Sequence, residues 1–296
     1  MQKPLTVLVT GATGHQGGAV TRQLLEKGHR VRAFTRNPEG QGAQVLKQTG
    51  AEICPGNFDD RKTLEHAARN VDCIFAMGTP FEAGTRIETR QGFAIVDVAK
   101  TSGAKHLIYN SVACADRNTG IPHFDSKFKV EQYIKSSGVP YTIIGPVFFM
   151  ENFLSPQFLS GLQEGKLSMA LPASKKLAQI AVSDIASFVV MVAENPKQFY
   201  GHRIDIASDD LTGTQTAQIL SKLCGRKIEY VEVPLAQLKA VSEDLALMFK
   251  WFERVGYSID TAALRKNYPK VTWHTLEDWA KNHDWGAVKR SSKKAA

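Results

Sequence analysis

Short apolar runs alternate, along the first half of the chain, with stretches whose apolar positions recur every three or four residues. Leu5-Thr-Val-Leu-Val-Thr10 is rich in β-branched residues and bounded by glycine, so it reads as a buried parallel strand. The segment that follows places Val20 and Leu24 on one helical face. Further strands are expected over 29–36, 51–54, 71–77, 105–111 and 139–146, separated by helices over 41–49, 61–68, 88–100 and 122–136. Strands and helices in strict alternation, with short connections, predict a doubly wound parallel sheet. Beyond Val147 the pattern loosens. An aromatic stretch over 148–154 precedes a helix over 182–193, a strand over 203–207 and a helix over 212–223. An extended run over 230–234, one long helix over 235–255 and a last helix over 276–283 follow. The expected fold is therefore α/β: a Rossmann-type domain over residues 1–150 and a smaller α/β C-terminal domain over 151–288, interleaved with it. The second domain is expected to act as a lid facing substrate or partner, and residues 289–296 form a basic tail.

The chemistry starts at the first strand-to-helix turn, Thr10-Gly11-Ala-Thr13-Gly14-His15-Gln16-Gly17. A glycine turn between a strand and a helix suits a dinucleotide pyrophosphate. Gly11 permits the sharp turn, Gly14 lets backbone N–H groups approach, and Gly17 lets the helix pack closely. The positive end of the helix then points at the phosphates.

The end of the second strand bears on cofactor type. An NAD site uses a carboxylate there to accept from the ribose 2′-hydroxyl. This chain has Thr35 and Arg36 instead, with no acid between Arg30 and Pro38. A guanidinium pairs with a 2′-phosphate through charge-assisted bonds, so NADP(H) is expected. Asp60 is placed to cap the helix that follows it, and Asp59 or Asp60 is placed to face an adenine amino group. Gly78, Thr79 and Pro80 follow the fourth strand, where a doubly wound sheet has its crevice. Ser111 ends the fifth strand, and His123 and Lys127, four residues apart, share one helical face.

Composition narrows the alternatives. The formal charge of +8 raises nucleic acid as a partner, but four of those charges lie in the tail, and no helix joins a basic stripe to stacking aromatics. Direct nucleic-acid binding is not expected. Apolar runs are far shorter than the ~20 residues of a membrane span, so no membrane association is expected. The N-terminus enters its first strand at once, without a signal peptide, and Cys54, Cys73, Cys114 and Cys224 show neither paired nor metal-ligand spacing. A cytoplasmic location, free thiols and no metal are the expectations.

The glycine turn, Arg36, Gly56-Asn-Phe-Asp-Asp60, His123-Phe-Asp-Ser-Lys127, Gly138-Val-Pro-Tyr-Thr-Ile-Ile and Phe149-Met150-Glu151-Asn152 together resemble the atypical short-chain dehydrogenase/reductase superfamily. Within it the chain is similar to the NmrA-like family, and especially to its NADPH-sensing members. The resemblance implies NADP(H) held by Gly11, Thr13, Gly14, His15, Gln16 and Gly17, with Arg36 on the 2′-phosphate. It also implies Asp60 and Arg61 beside the adenine and Gly78, Thr79 and Pro80 at the middle. Lys127 would reach the nicotinamide ribose, and Phe149, Met150, Glu151 and Asn152 would border the nicotinamide.

The superfamily's dehydrogenases use Tyr-x-x-x-Lys, in which the lysine lowers the pKa of the proton-exchanging phenol. Here His123 stands in the tyrosine's place, with Ser111 and Lys127 retained. An imidazole beside a lysine cation is discouraged from becoming imidazolium, since like charges disfavour one another. Either His123 is catalytic or it is a helix N-terminal residue without chemistry. Two functions remain open: an NADP(H)-binding redox sensor that acts through a protein partner, and an NADPH-dependent reductase of a flat aromatic acceptor such as a quinone or phenylpropanoid-like compound. A homodimer is left open.

Overall fold

The computed structural model describes residues 3–286 and 288, and the expected basic tail over 289–296 lies outside the described residues. The chain divides into two compact units. The first takes in the residues up to Pro146 together with Ile185–Asp205, and the second takes in Val147–Asp184 and the chain from Ile206 onward. Residues 147–150 therefore group with the second unit, and a stretch from the middle of the expected second domain returns to the first.

In the first unit the elements run β1 (Thr6–Val9), α1 (His15–Glu26), β2 (Arg30–Thr35), α2 (Gln41–Gln48), β3 (Glu52–Pro55) and α3 (Arg61–Ala67). They continue as β4 (Cys73–Met77), α4 (Pro80–Ala83), α5 (Thr85–Ser102), β5 (His106–Asn110), α6 (Pro122–Ser137) and β6 (Tyr141–Pro146). The sheet order is β3-β2-β1-β4-β5-β6, with the strand His202–Ile206 added beside β6 as a seventh. Every pairing from β3 to β6 is parallel, and β1 sits in register with both neighbours, Val7 facing Val31 on one side and Cys73 on the other. β1 is thus the strand from which the order runs both ways, the switch point of a doubly wound sheet.

Leu8, Ile74, Leu107 and Ile143 from four neighbouring strands, with Leu64, Val96, Val130 and Ile134 from the covering helices, make one continuous core. Each such side chain contributes roughly 1.5–3 kcal/mol through apolar burial. This is why strands buried on both faces read in the sequence as unbroken apolar runs.

The seventh strand is tied in by charge. Arg203 donates from Nε to Glu131 on α6 (2.8 Å) and from Nη2 to the Val112 carbonyl (3.0 Å), and it pairs with Asp205. Burial pushes the Glu131 and Asp205 carboxyls above the usual carboxylate range, and Arg203 pulls each back only in part.

The second unit holds a three-stranded sheet of Asp209–Thr212, Lys176–Ile180 and Phe148–Phe149, and a parallel pair of Lys166–Met169 and Glu229–Glu232. The four-residue strands at 166–169 and 209–212, and the strand Lys176–Ile180, were not expected from the sequence pattern. The expected helix over 235–255 is two helices, Leu235–Val241 and Glu243–Arg254. Ser242 between them is extended (φ −156°), and its side chain accepts from the Leu245 N–H. A serine capping a new helix start has replaced continuation of the old one. Among the described residues no helix is long and apolar enough to cross a membrane, and no cluster of His, Cys, Asp and Glu is placed to hold a metal.

Candidate functional site

The turn after β1 has the close packing that its glycines allow. Gly11 has φ +61°, a left-handed conformation that costs glycine nothing. A Cβ on Gly17 would lie 2.2 Å from the Gly11 carbonyl oxygen and 2.5 Å from its carbon, so α1 can seat against the turn only with glycine there. α1 begins at His15, earlier than the apolar periodicity indicated, with Gly14 as its N-cap and no side-chain cap. Thr13, Gly14 and His15 are exposed at this helix end, where backbone N–H groups lack intrahelical partners. Thr10, buried beneath the turn, donates its hydroxyl to the Met77 carbonyl and accepts from the Met77 N–H (3.0 Å), joining the ends of β1 and β4.

Gln16 points its side chain toward β5, where its Oε1 accepts from Asn110 Nδ2 at 2.6 Å. Asn110 is buried and its Oδ1 has no hydrogen-bond partner among the described residues. A buried carbonyl oxygen without a donor is costly, and it marks Asn110 as a residue that sequence reasoning missed. The only available signal was its position at the carboxyl end of a central strand.

At the end of β2, Arg36 is exposed and paired with Glu82 of α4, Nη2 to Oε2, at 2.7 Å. The two aspartates after β3 have separate tasks. Asp60 caps α3, accepting from the Lys62 and Thr63 N–H groups, and Asp59 pairs with Arg90 at 2.6 Å. Arg61 pairs with Glu65 one turn along the same helix.

At the end of β4, Gly78 gives its carbonyl to Lys127 Nζ at 3.1 Å. Thr79 caps α4 by accepting from the Phe81 N–H, and Pro80 occupies the first turn. A Cβ on Gly78 would come within 3.0 Å of Glu88 Cγ, so its smallness already serves this packing.

Lys127 is buried, and its ammonium lies 2.6 Å from Glu88 Oε1, whose side chain is wholly buried. Ser126 donates its hydroxyl to the other Glu88 oxygen at 2.6 Å. The lysine cation expected beside His123 thus has a buried carboxylate, Glu88, as its direct counter-charge. Of the three ammonium N–H donors, two are engaged among the described residues. His123 is buried among aromatics, its ring centroid 5.7 Å from that of Phe81 and 4.8 Å from that of Phe124. Ser111 turns away toward Glu131, donating at 2.5 Å within the Arg203 cluster. His123 and Lys127 thus lie on one helix, while Ser111 belongs to a different hydrogen-bond network. Neither nearby tyrosine replaces the missing phenol: Tyr109 is buried in the core, where burial raises its pKa well above the usual value, and Tyr133 donates to Asp97.

In the second unit Phe149 is half-buried and Met150 fully buried. Glu151 accepts from the Val182 N–H at 3.0 Å and from Trp279 Nε1 at 2.9 Å, so its carboxylate holds a helix start and an indole. Burial pushes its pKa upward. Asn152 is half-buried. Phe148, Phe153 and Phe158 form an edge-packed aromatic group with centroids 5.5–6.5 Å apart.

A parallel sheet reversing at its first strand, with a glycine turn leading from that strand into a helix, defines a Rossmann-type doubly wound protein. The sequence pattern of the NmrA-like family matches residues 3–280, and the chain belongs to that family. It is 28% identical to the NAD(P)H azoreductase of Xenophilus azovorans, over 94% of this chain and 97% of that one. Among solved structures it is similar to an NADPH-dependent quinone oxidoreductase of Escherichia coli complexed with NADPH (TM-score 0.79, 24% identity, 93% and 98% covered). It is similar also to NmrA, a negative transcriptional regulator, in complex with NADP (TM-score 0.79, 20% identity, 100% and 99% covered).

Proposed function

We propose that the chain binds NADP(H) at the β1–α1 turn and acts as a redox-responsive regulator, without the proton-transfer trio of the short-chain dehydrogenases. The observation that carries this reading is the turn. Gly11 is left-handed, Gly17 has no room for a side chain, and exposed N–H groups head α1 at the sheet's switch point. That arrangement fits a pyrophosphate. The unpartnered Asn110 oxygen is an acceptor that a ligand hydroxyl would satisfy, and Arg36 stands where an NAD-preferring site has an acid. Gly11, Thr13, Gly14, His15, Gln16 and Gly17 would hold the pyrophosphate, Asp60 and Arg61 would flank the adenine, and Gly78–Pro80 would pass beside the middle. An N–H of Lys127 would serve the nicotinamide ribose. When bound, the cofactor supplies hydride chemistry. The residues of this chain supply binding and orientation.

The regulator reading is supported by the commitment of Ser111 to Glu131 and of Lys127 to Glu88. Sensing requires that a conformation or a partner distinguish NADPH from NADP or from the empty chain. Titration of the purified protein with NADPH, NADP, NADH and NAD is expected to give saturable binding that favours the phosphorylated pair. Protease protection that differs between NADPH and NADP supports sensing, and identical protection in every state refutes it.

The names of the azoreductase and quinone oxidoreductase relatives favour a second reading, an NADPH-dependent reductase of flat aromatic acceptors whose proton comes from water. Acceptor-dependent NADPH oxidation across a panel of quinones and azo dyes supports that reading, and no oxidation at any pH eliminates it.

A further inference from the structure

The pairing of Arg36 with Glu82 bears on how an NADP(H) site on this chain would choose its ligand. Arg36 follows β2, and the backbone beside it is fixed by a hydrogen bond from the Asn37 N–H to Thr35 Oγ1 (3.2 Å). The Arg36 side chain is 65% exposed and pairs at 2.7 Å with the carboxylate of Glu82, whose side chain is 57% exposed. Glu82 comes from α4, a four-residue helix that stops at Gly84 in a positive-φ conformation (+83°). An anion therefore already sits on the cation expected to receive one. It is delivered by a segment held by a Thr79 cap at 3.4 Å, a backbone bond from the Gly84 N–H to the Pro80 carbonyl, the buried Pro80 ring and the contact of Phe81 with His123.

We propose that Glu82 is a specificity-determining residue, an internal counter-anion that the 2′-phosphate of NADP(H) must displace from Arg36. The proposal rests on the reading of the chain as an NADP(H) binder. A phosphate monoester carries nearly two negative charges at neutral pH and accepts through three oxygens, so it outcompetes a single carboxylate for the guanidinium. Its net gain is reduced by what the Arg36–Glu82 pair was worth, and by repulsion from a carboxylate left nearby. NAD(H) has a 2′-hydroxyl in that position and pays neither penalty. Glu82 therefore compresses the preference for the phosphorylated cofactor while leaving the binding of the other unchanged. Exposed ion pairs contribute up to about 1 kcal/mol, which is about fivefold in affinity.

The test is a double-mutant cycle read by the fluorescence of NADPH and NADH. The wild type, Glu82→Gln, Arg36→Gln and the double variant are titrated at low and high salt, with far-UV circular dichroism to verify folding. Glu82→Ala serves as a second removal of the charge. Glu82→Gln is expected to tighten NADPH about three- to fivefold at low salt, with NADH changed by less than about twofold. The gain should shrink at about 0.5 M salt, where screening acts within a few ångströms. In the Arg36→Gln background it should fall below about twofold, because the pair no longer exists. Unchanged or weaker NADPH binding by both Glu82 variants, alongside saturable binding by the wild type, overturns the role of Glu82 and leaves the functional reading standing. Equal tightening of both cofactors, or an undiminished gain without Arg36, overturns it too. If no variant binds either dinucleotide, the functional reading falls and this proposal falls with it.

Discussion

Arg203→Met tests whether the first unit is held at its edge by charge. The substitution keeps much of the apolar stem and removes the guanidinium. The side chain of Glu131 is wholly buried, and Asp205 is 18% exposed. Loss of Arg203 leaves both carboxylates without their principal cation, and it leaves the Val112 carbonyl with only the Ala115 N–H at 3.4 Å among the described donors. Removing one partner of a buried ion pair costs about 3–5 kcal/mol, because the remaining charge is then uncompensated. That is a large share of the roughly 5–15 kcal/mol that separates folded from unfolded chains.

The pH dependence has a definite sign. Burial already places the Glu131 and Asp205 carboxyls above their ordinary values, and Arg203 is the largest restraint on each, ahead of Ser111 and Lys135 at Glu131 and alongside the Cys114 N–H at Asp205. Without it their folded pKa values rise further, so folding favours the protonated forms. Such a group destabilises the fold increasingly as pH rises through the interval between its unfolded and folded pKa values. The deficit of Arg203→Met against wild type should therefore be large at pH 8 and smaller near about pH 5, as the acids protonate. Urea unfolding followed by circular dichroism at both pH values measures it. A deficit below about 1 kcal/mol, in the range of an exposed pair, or one that does not change with pH, would refute the assignment of Arg203 as the compensating charge.

Three further outcomes are expected. Gly17→Ala places a methyl 2.2 Å from backbone, so it should weaken NADPH binding at least about tenfold, even in preparations that remain folded; binding within twofold of wild type contradicts the close seating of α1. The hydrogen bond that His274 donates to the Asp184 carboxylate raises the pKa of His274 from its ordinary value near 6.5, with Asp184, Asp278 and Glu151 also favouring the charge against burial. This contribution is fully present below the ordinary value and lost as pH rises through the raised one, so His274→Gln should cost more at pH 5.5 than at pH 9, by thermal unfolding at each pH. The four cysteines are buried, and burial pushes Cys54 and Cys114 up to about 11, so native protein at pH 8 should react with a thiol reagent far more slowly than denatured protein. Rapid labelling of more than one thiol in the folded state contradicts it.

The sheet was legible because β1, β4, β5 and β6 are buried on both faces and spell it in consecutive apolar residues. The glycine turn was legible because its spacing reflects a steric demand. The strand Lys166–Met169 was not, since it is short and alternates exposed with buried, a signal too brief to distinguish from loop. The break at Ser242 was hidden by a helical periodicity that continues on both sides, although a serine followed by Glu243 and Asp244 is what a fresh helix start looks like. Within the site, Glu88 escaped notice because one acid in a helix otherwise rich in charge gives no hint of burial. Its role depends on α5 meeting α6, which local sequence does not encode. The same holds for Ser111, whose partner Glu131 becomes evident only once Arg203 has come back to the sheet.

That the first unit is assembled from two separated pieces of chain governs how it can form during synthesis. A ribosome that has released residues 1–150 has delivered β6 as an open strand rim and Glu131 without its cation, both hazards for a nascent chain. The unit can be completed only after Asp205 has emerged. A fragment ending near residue 150 should accordingly aggregate on expression, and adding residues 185–205 in trans as a peptide should recover part of it.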